Sequence, residues 1–222
     1  KGLSRVDIFG GWTKSFTNTE SLDFVDFTST IGLSFPVGTD KSSVFNLHRN
    51  LGRSMSAIVS AKAAIGVWDW LTIGVFIGTE LYKSYNRVVP MKTDSEQCGL
   101  IKLAKGVAKV DKKPMINFGF FAKAEHFHKR FSIIFAYQCT LQKKTYLNPI
   151  DIFTFDSNIV NNDCTLCKWK MHTINFSIDY EFATEETPTL PKIGIFFDLP
   201  MDGKGILKTK QSGVGLSIKT EW

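Results

Sequence analysis

The chain has 222 residues, enough for one all-β domain, and we expect residues 1–222 to form a single domain. Aromatic residues make up 13% and charged residues 22%, a balance that excludes a disordered chain. No apolar run approaches the roughly 18 residues that a membrane-spanning helix needs. The formal net charge of +6 suits an anionic partner: nucleic acid, anionic lipid or an anionic solute.

Nine segments alternate apolar with small or polar residues at a period of two, which is typical of half-exposed strands. They cover residues 5–16, 30–37, 56–68, 71–83, 115–127, 131–141, 172–182, 193–201 and 213–222. Residues 69, 128–129 and 183–189 are short connections, whereas residues 38–55, 85–114, 143–170 and 202–212 are long ones. This alternation predicts an antiparallel, up-and-down sheet with short turns at one rim and long loops at the other.

The polar side of these strands carries charges of both signs. If the sheet closes into a barrel, the side chains predicted to face its lumen are Lys62, Glu80, Lys123, Glu125, Asp179, Glu181 and Lys219. A barrel of about eight to ten strands is nearly filled by its own side chains, so we expect a salt-bridged interior or a narrow channel.

Aromatic residues gather near the ends of the segments, where a membrane barrel places its aromatic girdle. The tryptophans predicted to belong to such a girdle are Trp12, Trp68, Trp70, Trp169 and Trp222.

The longest and most basic connection, residues 85–114, has a second pattern. Leu100, Leu103, Ala104, Val107 and Val110 have helical spacing, with lysines alongside. The spacing predicts a short amphipathic helix, and an irregular basic loop is the alternative. Because the positive charge lies in loops and not on an aromatic-studded sheet, we predict no nucleic-acid binding.

The cysteines and histidines do not predict a catalytic or metal site. Cys164 and Cys167 form a single Cys-x-x-Cys with no second ligand pair at comparable spacing, so we expect loop thiols or a loop disulfide. His48, His126, His128 and His172 show no recognisable order with Ser or Asp. We therefore predict no enzyme, no catalytic residues, no metal and no cofactor, with a membrane-barrel enzyme as a minor alternative.

The final segment alternates strictly and ends on an aromatic residue. Val214, Leu216, Ile218 and Trp222 share one side, and Gly213, Gly215, Ser217, Lys219 and Glu221 share the other. This ending resembles the C-terminal assembly signal of bacterial outer-membrane β-barrels, which usually ends in Phe or Trp. The resemblance implies a transmembrane barrel in the Gram-negative cell envelope with a structural or narrow-channel, porin-like role. Its expected partners are membrane lipid, the barrel-assembly machinery and small anionic solutes, in an oligomer or a larger envelope complex.

The sequence allows alternatives for the number of strands and for the environment of the apolar side. Bacterial single-chain barrels have even strand numbers, so nine segments imply either a strand before Lys1 or one hidden in a long loop, giving ten strands, with eight as the fallback. The main alternative is a soluble β-barrel or β-sandwich that turns its apolar side inward and binds an apolar ligand.

Overall fold

The computed structural model describes residues 5–19, 22–37, 54–97, 102, 104–128, 130–182, 189–204 and 211–220. Its strands are β1 Arg5–Thr19, β2 Leu22–Pro36, β3 Ser56–Val67, β4 Leu71–Tyr82, β5 Tyr85–Pro90, β6 Lys105–Asp111, β7 Met115–His128, β8 Phe131–Gln142, β9 Tyr146–Pro149, β10 Trp169–Glu181, β11 Thr189–Lys204 and β12 Gln211–Thr220. One short helix, α1, covers Ser157–Asn161, and a 3₁₀ helix covers Cys164–Leu166. No helix within the described ranges is both long and apolar enough to cross a membrane.

Nine strands form one antiparallel sheet in the order β1-β2-β3-β4-β7-β8-β10-β11-β12. Each of the nine predicted segments contributes one of these strands, so the all-β, up-and-down antiparallel prediction is confirmed. Chain segments 37–55, 83–114, 143–168 and 205–210 leave from one end of the strands, here called the long-loop rim. The tighter connections lie at the opposite end, the short-turn rim.

The expected closure into a barrel is not present in the described residues, where β1 and β12 are the free edges of an open sheet. A physical reason follows from the strand count. Because every neighbouring pair is antiparallel and the strands number nine, the first and the last run in the same direction. They therefore cannot extend the antiparallel ladder by pairing with each other, and a direct junction would have to be parallel.

The first hairpin is longer than predicted. The pairing of β1 with β2 runs from Arg5 opposite Pro36 to Thr19 opposite Leu22, so the gap of residues 17–29 between the first two predicted segments is wrong, and most of it is strand. Phe24 conceals the alternation there, because it points to the same side as Thr28 and Thr30 and its ring lies over Gly66 of the neighbouring strand.

The tight reversal predicted at Asp69 is confirmed, and its backbone is unusual. Trp68 and Asp69 have positive φ angles of 58° and 56°. Asp tolerates the left-handed region better than a bulky residue such as Trp does. The Asp69 N–H donates to the Asp23 carboxylate at 2.6 Å, which ties this turn to the start of β2.

Two of the long connections fold together into a unit that the sequence did not predict, here called the loop module. It comprises a three-stranded sheet in the order β5-β6-β9, together with α1 and the 3₁₀ helix. Its buried core consists of Val89, Met91, Ala108, Val110, Leu147, Phe155, Val160 and Leu166.

The amphipathic helix predicted in residues 100–110 is wrong where the structure describes it. Residues 105–111 form β6, in which Ala108 and Val110 are fully buried and Val107 is exposed. Burial thus alternates with the two-residue period of a strand. The strand forms in place of the helix because it turns Ala108 and Val110 into the core of the loop module. Leu100 and Leu103 lie outside the described residues.

Candidate functional site

Cross-strand register collects the large apolar side chains on one side of the nine-stranded sheet, here called the apolar face. One row of directly opposed residues runs from β1 to β11 without a polar member. It consists of Phe16, Val25, Ile65, Ile73, Ala122, Phe135, Phe176 and Phe197. A one-residue slip at any junction would break this row, so the register is strongly specified by the pattern.

The apolar face is exposed. Ile31 is 64% exposed, Val75 57% and Val214 70%. Of the buried hydrophobic residues in the described ranges, only Ala64 and Cys139 belong to the nine-stranded sheet, and the rest belong to the loop module. The described side chains of the large sheet therefore form no hydrophobic core of their own. An exposed apolar surface of this extent is rare on soluble monomers and is typical of a surface that contacts another protein, a membrane or an apolar ligand.

Charge is nearly excluded from the apolar face. Away from the strand ends, Lys14 is the one charged side chain on this face among the described residues. Its Nζ lies 4.7 Å from the centre of the Phe16 ring, so the ammonium leans toward the short-turn rim. This geometry is typical of a long cationic side chain that extends its charge toward water.

Aromatic side chains concentrate at the short-turn rim. Trp68 and Trp70 stack at 6.1 Å in the turn between β3 and β4. Phe131, Tyr180 and Phe182 form a second cluster with ring centres 4.9 Å apart in both contacts. A soluble sheet rarely presents exposed indoles and phenyl rings at a turn, whereas a water–hydrocarbon boundary suits them.

Two of the predicted girdle tryptophans lie elsewhere. Trp12 faces Ser29 in the middle of the lengthened β1, so it is not at a strand end. Trp169 is opposite Gln142, which places it at the long-loop rim on the side away from the apolar face. Trp222 lies outside the described residues.

The opposite side of the sheet, here called the polar face, is the more enclosed one. Ser34, Ser56, Ser132, Thr140 and Gln142 all lie on it and are each less than 8% exposed. Hydrogen bonds link its strands: Thr30 and Ser60 oxygens lie 2.5 Å apart, and Asn175 donates to Asp198 at 2.6 Å. At these five enclosed positions, polar residues thus stand where a soluble sheet would place core residues.

The charged residues predicted to face a lumen share this polar face. Those placed on it are Lys62, Glu80, Lys123, Glu125, Asp179 and Glu181. Lys123 and Glu125 form an ion pair of 2.5 Å, and Glu80 accepts hydrogen bonds from Ser56 and Tyr82. The Lys62 ammonium lies 4.5 Å from the centre of the Phe121 ring. Lys219 is in β12, opposite Leu190, and its side chain lies outside the described residues.

Phenylalanines over glycines are a feature of the polar face that the sequence analysis missed. Five Phe–Gly pairs lie directly opposite each other on neighbouring strands: Phe9–Gly32, Phe24–Gly66, Phe121–Gly74, Phe76–Gly119 and Phe196–Gly213. A Cβ at Gly213 would come within 2.6 Å of the Phe196 ring, and one at Gly119 within 2.8 Å of the Phe76 ring. The sequence signal for these pairs was a Phe at a position of the strand that otherwise carries small or polar residues, together with a glycine in the neighbouring strand.

A groove of about 630 Å³ crosses the centre of the apolar face. Its floor is formed by small residues, Ser29, Ala61 and Ala63, and its walls include Trp12, Phe27 and Phe120. The lining is almost entirely hydrocarbon. The alanine-rich pattern of β3 was the sequence signal for this depression.

The structure describes some of the cysteines and histidines considered in the sequence analysis. Cys164 begins the 3₁₀ helix and Cys167 directly follows it, and both are exposed free cysteines, whereas Cys139 is buried in β8. Cys98, His48 and the side chains of His126 and His128 lie outside the described residues. Within the described part, no group of three or more His, Cys, Asp and Glu side chains is arranged to hold a metal ion. His172 Nδ1 is hydrogen-bonded to the Tyr137 hydroxyl.

A buried ion pair holds the two halves of the loop module together. Lys102 and Asp163 are 2% and 1% exposed, and the ammonium also donates to Thr165 at 3.1 Å. The second Asp163 oxygen accepts the Thr165 N–H at 2.9 Å, which caps the 3₁₀ helix. Burial, opposed by the nearby Cys164, lowers the pKa of Lys102 to about 8.

The predicted assembly segment forms β12. Val214 is opposite Ile195 on the exposed apolar face, Leu216 is opposite Ile193, and Ile218 is opposite Pro191. Trp222 follows the described part of the strand. Comparison with protein-family models, with curated proteins and with solved structures found no match to this chain.

Proposed function

We propose that this chain is an integral β-barrel protein of a bacterial outer membrane, in which the apolar face contacts lipid and the polar face lines the interior. The observation that carries the proposal is the exposed apolar face on a sheet whose described side chains form no hydrophobic core. In water such a face would drive aggregation, whereas in a bilayer it requires no further partner.

The height of the apolar face supports this location. On β8 it extends from Phe131 through Phe135 and Tyr137 to Leu141, about 34 Å along the strand at roughly 3.4 Å per residue. A strand tilted by about 40° reduces this to about 26 Å, which fits the ~25 Å apolar band of outer-membrane barrels.

The proposal requires the two edges of the sheet to be paired in the membrane. Lipid offers no hydrogen-bond partner to the N–H and C=O groups along the outer edges of β1 and β12, which pair with no further strand among the described residues. Closure takes place either through one parallel β1–β12 pair or through an added strand that runs antiparallel to both. The mixed-sign polar face favours a narrow, structural interior over a wide channel.

Neighbouring substitutions on β10 test the two faces. Ile178, 38% exposed on the apolar face, is opposite Ile133 and Ile195, whereas Ser177 is on the polar face. Because Ile178 lies between the centre of the apolar band and the short-turn rim, Ile178→Lys should cost about 1–3 kcal/mol of folding free energy in lipid vesicles, and Ser177→Lys much less. Urea unfolding in vesicles measures both, with Ile178→Leu as the control. Equal costs at the two positions, or a monodisperse wild-type chain in detergent-free buffer, would refute the membrane proposal.

The groove favours a second candidate function, a soluble carrier of an apolar ligand. Its volume of about 630 Å³ lies within the range of small-molecule sites, and aromatic side chains form its walls. Under this alternative the apolar face would be covered in water by another chain or by ligand. Solubility without detergent, together with saturable binding of a fluorescent fatty acid that Ala61→Phe abolishes, would favour it.

A further inference from the structure

The loop module carries an apolar surface that its own core does not use, here called the apolar tip. A row of three residues, Val88, Val107 and Ile150, crosses the outward side of the three-stranded sheet. Val88 is opposite Val107, and the Ile150 N–H donates to the Val107 carbonyl at 2.9 Å. These side chains are 58%, 42% and 60% exposed.

The turn after this row extends the apolar tip into solvent. Ile152 is 68% exposed and Phe153 98%, whereas Phe155, two residues on, is buried in the module core. The Asp151 carboxylate accepts the N–H groups of Phe153 and Thr154, and the Asp151 carbonyl accepts that of Phe155. The turn is therefore anchored, and it presents Phe153 outward in a defined conformation.

Positive charge flanks the apolar tip. Lys105 and Lys109 are exposed and lie on the same side of β6 as Val107, one on each side of it. The residues opposite them are uncharged: Pro90 faces Lys105, and Asn86 and Asn148 face Lys109. Asp151 is the one carboxylate in the turn, and two backbone N–H groups engage one of its oxygens. The lysines at the margin outnumber it, and with the apolar centre they complement a surface that combines hydrocarbon with anionic phosphate.

We propose that the apolar tip docks on the anionic headgroup layer of a lipid bilayer, with Phe153 and Ile152 entering the acyl boundary and Lys105 and Lys109 facing lipid phosphates. The proposal rests on the proposed membrane location only in that an embedded sheet brings a bilayer within reach of the module. A folded acidic protein would offer matching charge, but it would not explain a fully exposed phenyl ring at the apex of an ordered turn.

Hydrogen exchange of the full chain in nanodiscs tests the docking. In discs containing phosphatidylglycerol, amides of residues 150–154 should exchange on the order of tenfold more slowly than in discs of phosphatidylcholine alone. Phe153→Asp should abolish the difference and Lys105→Glu/Lys109→Glu should reduce it. Ser157→Asp, which introduces the same acidic side chain at an exposed position of α1, should leave it unchanged. Unchanged protection of β6 amides shows that each variant retains the module core.

The outcomes separate this proposal from the membrane proposal. Equal exchange of residues 150–154 in both lipids would overturn the docking, even with β10 amides protected by insertion of the sheet. Protection that depends on protein concentration and not on lipid charge would overturn it in favour of a second copy of the chain. If the chain does not enter discs at all, the membrane proposal fails. Flotation with phosphatidylglycerol vesicles that Phe153→Asp abolishes would then still support the docking, and its absence would overturn it.

Discussion

The buried Lys102–Asp163 pair allows the stability of the loop module to be tested separately from any membrane. Asp163→Asn removes the carboxylate that faces the Lys102 ammonium, while both positions stay almost completely enclosed. Removing one partner of a buried ion pair costs about 3–5 kcal/mol because the remaining charge stays buried without a counter-ion. Replacing both partners in Lys102→Met/Asp163→Leu removes that charge and should cost only about 1 kcal/mol, because Leu cannot accept the Thr165 N–H that Asp163 caps. Native-state hydrogen exchange of β9 amides measures the opening free energy.

The module also supplies an exposed control pair. Lys113 and Asp111 are 2.8 Å apart with side chains 42% and 33% exposed, so Asp111→Asn should cost at most about 1 kcal/mol. An Asp163→Asn cost no larger than that of Asp111→Asn would refute the reasoning.

The pH dependence of this effect has a defined sign. The folded-state pKa of Lys102, about 8, lies below the ordinary value of 10.5, so between these values the unfolded state binds more protons and stability rises with pH. Asp163→Asn lowers the folded-state pKa further by removing the opposing carboxylate. As pH rises toward about 8, the variant should therefore recover part of its lost stability relative to the wild type, because its Lys102 loses the proton at lower pH. A cost that grows over this range would contradict the desolvation argument.

Three further predictions concern the nine-stranded sheet. Gly74→Val should destabilise it by about 1–3 kcal/mol, because a Cβ at Gly74 would contact the Phe121 ring and would lie 2.6 Å from the Ala63 carbonyl oxygen. Gly10→Val is the control, since open space surrounds Gly10 and no loss of stability is expected. Unfolding of both variants in vesicles measures the difference. If the edges close in lipid, β1 and β12 amides should exchange as slowly as β8 amides, and fast exchange along either edge would mean an open sheet. Planar-bilayer recordings should give small currents with a mild anion preference that fades as salt screens the basic loops, and a large cation-selective current would contradict this.

Alternation predicted the nine strands because each has to place its side chains on two chemically different faces. The signal was strong where one face was uniformly apolar, as in Ile174, Phe176 and Ile178 of β10. It failed at Phe24, where an aromatic ring covers a glycine on the polar face and makes both sides of β2 look apolar. The chain alone did not show this pairing, because it joins residues from different strands.

The loop module was missed for a related physical reason. Its core joins Ala108 and Val110 with Leu147 and Phe155, which come from two connections separated by the whole β7–β8 hairpin. Within residues 105–111, apolar residues three apart fit a helix as well as a strand, so only the core below distinguishes the two periods. The apolar tip was equally hidden, since Phe153 and Phe155 look alike in sequence and differ only in which side of the turn faces that core.

The interruption of the loop module by the β7–β8 hairpin has a kinetic consequence. Strands β5 and β6 precede the hairpin and β9 follows it, so contacts such as Ala108 with Pro149 close a long chain segment. The hairpin shortens that gap, because its antiparallel strands return Gln142 to the position opposite Met115, at the rim from which both halves emerge. Formation of the hairpin thereby lowers the chain entropy that the module must lose in order to close. The loop module should consequently fold after the β7–β8 hairpin has paired. An ordered module core therefore indicates that this hairpin, at the centre of the sheet, has already formed.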